Sequence, residues 1–95
     1  MRYALRIDAN QTQIVSALES YGITVEVIGM PVDLLCGLNG RFCLLEVKDG
    51  SKIPSKQKKT GQQTKFFLKW AGYPVAVVKS PDEAVSAVVR LCSEK

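Results

Sequence analysis

The dipeptide Asn39-Gly40 constrains the fold of this chain more than any other part of its sequence, because it separates two short apolar runs. Asparagine followed by glycine tolerates the positive φ angles that a two-residue type I′ hairpin turn requires. The runs on either side, residues 33–37 and 41–48, have the length and apolar content of strands. The sequence therefore predicts that these two strands pair antiparallel across a tight turn.

Counting outward from this turn gives the expected register. Leu38 lies opposite Arg41, and with ideal pairing Asp33 falls opposite Glu46. Directly opposed residues of an antiparallel pair have Cβ atoms ~5 Å apart. Since residues two apart on a strand point the same way, Lys48 shares a face with Glu46. Two carboxylates and a lysine are thus expected to meet among apolar neighbours.

Periodicity and capping residues predict the remaining elements. Helical periodicity follows three capping residues, which are Asn10, Thr60 and Ser80. Runs of β-branched residues at 23–28 and 74–78 predict two more strands, and the wholly apolar second run favours a central strand parallel to its neighbour. The expected fold is one α/β domain covering residues 1–95, with a mixed four-stranded sheet flanked by helices.

The charge of the chain is unevenly distributed. The formal net charge is +4, but the segment 48–69 carries seven lysines against the single acid Asp49, so that its own net charge is +6. A polyanion such as nucleic acid is the expected partner of this segment, although a solvated surface loop has the same composition.

Other classes of protein are disfavoured by composition. The hydrophobic share of 46% is typical of a globular domain, and no apolar run approaches the ~18–20 residues of a membrane helix. The first residues lack the apolar core of a secretory signal, so we expect a cytoplasmic protein with no membrane partner. A core this small would gain stability from dimerisation.

The absence of histidine limits the chemistry that the chain can perform. Three cysteines without CxxC spacing, Cys36, Cys43 and Cys92, favour buried reduced thiols over a zinc site. Without histidine, a serine or cysteine triad lacks its usual base. Catalysis would have to use carboxylates, lysine and a metal ion.

An aspartate facing Glu46-Val47-Lys48 suits a divalent metal ion and phosphodiester hydrolysis. Magnesium prefers carboxylate and carbonyl oxygens, here from Asp33, Glu46 and the Val47 backbone, together with water and phosphate oxygens. Two carboxylates ~4 Å apart repel by roughly 4 kcal/mol at an effective dielectric near 20, a cost that a bound cation removes. Lys48 would orient or deprotonate the attacking water and offset charge on the reacting phosphate.

These residues resemble the PD-(D/E)XK nuclease superfamily, and within it the small stand-alone VRR-NUC type of phages, related to Holliday-junction resolvases. The matching residues are Pro31-Val32-Asp33, Glu46-Val47-Lys48, and Gln63 followed by Phe66 and Trp70. Further segments look like that family, so that the similarity covers nearly the whole chain: Asp8 to Gln11, Gly37 to Arg41, Asp49 to Ser51, and Pro54-Ser55.

The resemblance implies a restriction-endonuclease-like αβββαβ core, a Mg²⁺ or Mn²⁺ cofactor without an organic one, and a homodimer that cleaves branched DNA such as Holliday junctions. It implies catalytic roles for Asp33, Glu46 and Lys48, with Gln63 and Gln11 assisting. The chain departs from the family pattern in two places. Val32 separates the proline from the aspartate, and Gln11 stands where many relatives carry a metal-binding glutamate, which predicts weaker metal binding or a positioning role.

Each of these residues also has an ordinary structural interpretation. Glu46 and Lys48 alone would be a common ion pair of small energetic worth on a strand, and Gln63 alone would complete a capping box with Thr60. Trp70 and Phe66 are interpreted as core residues. The lysines expected to contact DNA backbone are Lys52, Lys56, Lys58, Lys59 and Lys65. The alternative function is a non-catalytic, sequence-independent DNA-binding module on the same fold.

Overall fold

The computed structural model of the protein describes residues 9–48 and 61–93, and only the backbone of residues 61–64. The helices are α1 (Ala9–Tyr21), α2 (Gly61–Lys69) and α3 (Pro81–Leu91), and the strands are β1 (Thr24–Val27), β2 (Leu34–Leu38), β3 (Arg41–Val47) and β4 (Val75–Val78). This order of elements confirms the predicted one. In this part of the chain, every helix is too short or too polar to cross a membrane.

The four strands form one mixed sheet in the order β1-β2-β3-β4. β2 pairs antiparallel with both β1 and β3, while β4 pairs parallel with β3. The hairpin prediction is confirmed, because Asn39 and Gly40 have φ angles of 57° and 76° and Leu38 lies opposite Arg41. The fold is therefore α/β, and its sheet is mixed, as predicted.

The central position predicted for the apolar strand β4 is wrong, because β4 is the last strand of the sheet that the described residues form. Its parallel pairing with β3 is confirmed. Ala76 and Val78 pack into the core, whereas Val77 on the other side of the strand remains 39% exposed. A continuous apolar run here reflects one buried side and one partly exposed side rather than burial on both.

One face of the sheet packs against α1 and α3, and this face holds the hydrophobic core. Side chains of a strand alternate between faces, so every second residue of each strand points toward the helices. The fully buried core residues are Ile14, Leu18, Leu34, Cys36, Cys43, Leu45, Val78, Ala84, Val88 and Cys92. The Met30–Pro31 peptide bond before β2 is cis.

The intervening residues of the strands point to the opposite face, which we call the second face. Its members are Thr24, Glu26, Leu35, Gly37, Phe42, Leu44, Glu46, Val75 and Val77. The register aligns them in rows across the sheet. One row joins Thr24, Gly37 and Phe42, the next joins Glu26, Leu35, Leu44 and Val75, and a third contains Glu46 and Val77.

Two of the predicted helix caps are tested by the described residues. Ser80 caps α3 as predicted, since its Oγ accepts a hydrogen bond from the Glu83 N–H at 3.1 Å. The prediction that Asn10 caps α1 is wrong, because Asn10 already lies within the helix. Its side chain instead contacts the backbone beyond the ends of two strands. Thr60 lies outside the described residues.

Candidate functional site

Asp33 lies just before β2, and its side chain is fixed against the neighbouring strand β3. The paired register of β2 and β3 ends with Leu34 opposite Leu45, one residue after Asp33 and one residue before Glu46. The Asp33 Oδ2 atom accepts a hydrogen bond from the Val47 N–H at 2.8 Å. The Asp33 backbone carbonyl accepts hydrogen bonds from the N–H groups of Ile28 and Gly29, at 2.9 and 3.2 Å. Both its backbone and its carboxylate are therefore held in place.

Glu46 and Lys48 stand on the second face at the carboxyl end of β3. The Lys48 Nζ atom lies 3.4 Å from Glu46 Oε2, so the expectation that these two residues share a face is confirmed. Glu46 is only 5% exposed, and the Lys48 side chain is 16% exposed. This burial distinguishes the pair from an ordinary surface ion pair, whose charges are well solvated. A carboxylate with little access to water depends on such a cation for compensation.

The amino-terminal part of α1 is tied to the same end of the sheet through Asn10. Its Nδ2 atom donates to the Lys48 carbonyl oxygen at 2.8 Å and to the Lys79 carbonyl oxygen at 3.1 Å. These carbonyls follow the carboxyl ends of the parallel strands β3 and β4. Asn10 thus joins the helix to both strands where the acidic pair is located.

Gln11 follows Asn10 on α1 and is buried, with 6% of its surface exposed. Its burial differs from that of a typical first-turn glutamine, which faces solvent. The anchoring of Asn10 to the Lys48 carbonyl holds this turn of α1 near the end of β3. A neutral amide at this position adds a carbonyl oxygen without adding negative charge.

The atoms available at this end of β3 suit a hard cation. The N–H and C=O of one strand residue point to the same side, so the Val47 carbonyl is directed toward the Asp33 side, where its N–H is bonded. Carboxylate and carbonyl oxygens are the ligands that Mg²⁺ accepts. Among residues 9–48 and 61–93, no group of three or more His, Cys, Asp or Glu side chains could hold a metal ion. A divalent ion between Asp33 and Glu46 would therefore need the Val47 carbonyl, water or phosphate oxygens to complete its shell.

Several residues of the predicted site cannot be compared with the structure. Lys52, Lys56, Lys58 and Lys59 lie outside the described residues, and the Gln63 side chain does so too, although its backbone is part of α2. Lys65 is on α2 and is exposed. Of the predicted site, the described residues therefore bring together Asp33, Glu46, Val47 and Lys48, and Asn10 bonds the Lys48 carbonyl from α1. Gln11 is buried on α1 and lines a hollow with Val27.

The prediction that Phe66 and Trp70 belong to the core is wrong. Phe66 is half-buried and Trp70 is 38% exposed. The two rings lie 6.1 Å apart, and Trp70 makes an edge-to-face contact with Tyr73 at 4.9 Å between centroids. Helical periodicity correctly placed these aromatic residues on one side of α2, but it does not show what that side packs against.

The three cysteines meet inside the core as free thiols, as the sequence predicts. Cys36 and Cys43 are opposite each other on β2 and β3, and the Cys92 Sγ atom donates to the Arg41 carbonyl oxygen at 3.6 Å. The hydrogen bond between the Cys43 and Cys36 thiols lowers the pKa of Cys36 and raises that of Cys43. Burial raises the pKa of Cys92 to about 11, with a further contribution from Cys43. All three side chains are buried in the core.

Two features of this region were missed from the sequence, namely the tertiary role of Asn10 and the aromatic contacts around Trp70. Asparagine before a helical run is most often a cap, so composition alone points to the wrong role for Asn10. Comparisons of this chain with protein-family models, with curated proteins and with solved structures found no match. A functional assignment for this protein therefore depends on the geometry of the described residues.

Proposed function

We propose that this protein is a Mg²⁺- or Mn²⁺-dependent DNA endonuclease that hydrolyses phosphodiester bonds at the Asp33–Glu46 pair. One observation supports this above all others. The Asp33 carboxylate accepts a hydrogen bond from the Val47 N–H, next to the buried Glu46, whose carboxylate lies 3.4 Å from the Lys48 ammonium. Burying a carboxylate costs free energy that a surface ion pair would avoid, and such unfavourable arrangements are typical of functional sites.

The residues of the candidate site would have different roles in the proposed reaction. Asp33, Glu46 and the Val47 carbonyl would hold the cation, which supplies Lewis-acid activation of the phosphate and of a bound water. Asp33 is oriented by its hydrogen bond with the Val47 N–H. Lys48 would orient the attacking water and offset the charge that develops on the phosphate. Gln11 and Gln63 would assist by positioning ligands or water.

The proposed substrate is branched DNA, such as a Holliday junction, in the cytoplasm. The supporting feature is the basic segment 48–69, whose net charge is +6. Lys52, Lys56, Lys58, Lys59 and Lys65 would contact phosphates without reading sequence. The proposed core is the restriction-endonuclease-like one, of which the mixed four-stranded sheet with helices is the general form. A homodimer would allow two DNA strands to be cut by two equivalent sites.

The test is cleavage of a mobile four-way junction, a flap and a linear duplex, with Mg²⁺, with Mn²⁺ and with chelator. The Asp33→Asn variant should lose activity by several orders of magnitude while remaining folded, because the asparagine carbonyl still accepts the Val47 N–H. Glu19→Gln is the matched control, since Glu19 is an exposed carboxylate near the carboxyl end of α1, whereas Asn10, which contacts the Lys48 carbonyl, lies at the amino-terminal end of that helix. Full metal-dependent cleavage by Asp33→Asn would refute the proposed role.

A second candidate function is favoured by Gln11 and by the ion pair between Glu46 and Lys48. The ammonium compensates Glu46 without a metal, and Gln11 brings no third charge to the site. A DNA-binding module without catalysis would keep the fold and the lysines. It would show salt-sensitive binding, with log affinity falling by ~0.9 per phosphate contact for each log unit of salt, and no nicking with either metal.

A further inference from the structure

The second face of the sheet contains a hollow of about 490 Å³ at the hairpin end of β2 and β3. Gly37 lies at its floor, directly between Thr24 on β1 and Phe42 on β3. Leu35 extends the floor toward the next row, and Glu26 and Arg41 lie at the rim. The hollow is thus apolar at its base and carries one group of each charge at its edge.

The fold does not require a glycine at position 37. Its φ angle lies outside the left-handed region, so the backbone does not exclude a side chain. An added Cβ would lie 3.7 Å from the Arg41 carbonyl oxygen and 3.9 Å from the Thr24 Cβ, which are ordinary contact distances. Glycine within a strand weakens it, and often marks a place where a ligand approaches closely. The absence of a side chain at Gly37 leaves the floor of the hollow open.

The aromatic ring of Phe42 borders this space. Phe42 is 71% exposed, which is unusual for phenylalanine in a sheet. On its other side Phe42 borders a second hollow of about 290 Å³, shared with Leu44, Trp70 and Tyr73. The exposed ring of Phe42 therefore separates two adjoining apolar depressions.

The hollow and the acidic pair lie along the same strands and on the same face. Gly37 is four residues from Asp33, and Phe42 is four residues from Glu46, so each pair is separated by ~13 Å. The row of Leu35 and Leu44 lies between them. A DNA strand whose phosphate lies at the acidic pair has a neighbouring nucleotide within reach of this hollow.

We propose that the hollow at Gly37 and Phe42 binds an unpaired nucleobase of the DNA strand that is cut at the acidic pair. The inference rests on the proposed nuclease function and narrows its substrate to DNA with unpaired nucleotides near the cut. The base stacks on Phe42, its apolar body lies on Leu35 and Gly37, and its N–H groups donate to the Glu26 carboxylate. Arg41 contacts the adjoining phosphate.

A nucleobase fits these features better than a second copy of the chain does. The hollow is concave, and it has a volume in the range of small-ligand pockets. Glu26 and Arg41 place charges directly at its rim, whereas the buried centre of a protein interface is depleted of charge. A base combines a flat apolar body with a polar edge, which matches a floor of Leu35 and Gly37 beside a carboxylate.

The single tryptophan of the chain, Trp70, provides a readout that needs neither metal nor cleavage. Metal-free protein is titrated with a short oligothymidylate and with an abasic oligomer of equal length and charge, and Trp70 fluorescence is followed. Oligothymidylate should bind on the order of tenfold more tightly than the abasic oligomer, and only it should quench Trp70. Equal affinity for the two oligomers would overturn the proposal.

Two variants locate the binding site. Gly37→Val fills the hollow and Phe42→Ala removes the stacking surface, and each should abolish the preference for oligothymidylate over the abasic oligomer. Val89→Ala is the control, because Val89 is an exposed residue of α3, which packs on the opposite face. If Gly37→Val does not fold, Phe42→Ala alone decides. A preference that survives in folded Phe42→Ala would refute the assignment.

Two further outcomes separate this inference from the proposed function. Asp33→Asn should keep the preference for oligothymidylate while losing cleavage, so a failure of the nuclease proposal leaves base binding measurable. If Phe42→Ala instead converts a DNA-free dimer to a monomer, and no oligomer preference exists in the wild type, the surface binds a second copy and the inference is wrong.

Discussion

Asn10 holds the carboxyl ends of two parallel strands together from a helix. Its amide donates to the carbonyl oxygens of Lys48 and Lys79, which are 31 positions apart in the sequence and belong to different strand ends. A hydrogen bond to backbone groups so far along the chain leaves no recognisable pattern in the residues around Asn10. This is the physical reason why the sequence pattern predicted a cap.

Replacing Asn10 by alanine should lower the free energy of unfolding by about 1–2 kcal/mol. Two backbone carbonyls lose a hydrogen-bond partner, while the better helix propensity of alanine recovers part of the loss. Denaturant unfolding measures the difference. Gln13→Ala serves as the control, since Gln13 is exposed on the same helix and its replacement should change stability by less than about 0.5 kcal/mol. Equal effects of the two substitutions would contradict the role assigned to Asn10.

Cys92 should make the fold less stable at alkaline pH. Burial raises its pKa from 9.0 to about 11, so between these values the unfolded thiol is ionised while the folded thiol keeps its proton. Unfolding then releases a proton, and stability falls as pH rises through this window. Denaturant unfolding from pH 8 to pH 11 should show a shallower decline in Cys92→Ala than in the wild type.

The other two thiols, Cys36 and Cys43, also contribute to the pH dependence of the free energy of unfolding. The raised pKa of Cys43 acts in the same direction as that of Cys92, whereas the lowered pKa of Cys36 acts against it. Some pH dependence should therefore remain in the variant. Parallel curves for the two proteins, differing only in height, would show that the pKa of Cys92 does not change between the folded and unfolded states.

At the scale of elements, the hairpin was the most predictable part of the fold. The pair Asn39-Gly40 favours the positive φ angles of its own turn, and this two-residue turn sets the register of β2 and β3. Because this signal is local, the pairing of Leu38 with Arg41 could be inferred without the structure, whereas the position of Asp33 opposite Glu46 stays a prediction. Lys48 followed from the two-residue period of the strand.

Elements whose environment depends on distant segments were less predictable. The apolar strand β4 was expected at the centre of the sheet. In the structure it is buried on one side by α3 and pairs with β3, and these contacts are enough to account for its apolar sequence. Phe66 and Trp70 were expected in the core for a similar reason, since periodicity reports a side of a helix but not its partner. The lysines of 52–59 lie outside the described residues, so their role stays a prediction.

Gly40→Ala should destabilise the hairpin without changing its register. An alanine at a φ angle of 76° is strained, and the expected loss in the free energy of unfolding is about 1 kcal/mol. A one-residue shift would turn Leu34 and Leu45 out of the core at far greater cost. The variant should therefore unfold at lower denaturant concentration yet retain the proposed cleavage activity at temperatures where it is folded. Loss of activity in the folded variant would show that the turn itself controls the site.

At the scale of the whole molecule, helices α1 and α3 cover one face of the sheet, and β4 forms an edge among the strands of residues 9–48 and 61–93. An edge strand presents backbone groups that pair readily with another chain. Val77 on this strand is 39% exposed, beside a core that is small for a domain. These features support the proposed homodimer, with β4 as the element closest to its interface.

Sedimentation equilibrium at micromolar concentration should therefore give the mass of a dimer in the absence of DNA. Phe42→Ala should remain dimeric, because Phe42 is assigned to base binding rather than to the contact between copies. A monomeric mass for the wild type across this concentration range would contradict the dimer. The measurement is independent of metal and of cleavage, so its result does not depend on the proposed catalytic role.

Strand β3 contributes residues both to the core and to the candidate site. A change in the length of this strand would therefore affect both. Cys43 and Leu45 point into the core, while Glu46 and Lys48 point to the second face. Insertion or deletion of one residue within this strand would exchange the two sets and damage packing and chemistry at once. We therefore expect relatives of this protein to vary in length at the turns and loops, while the residue count from the Asn39-Gly40 turn to Glu46 stays constant.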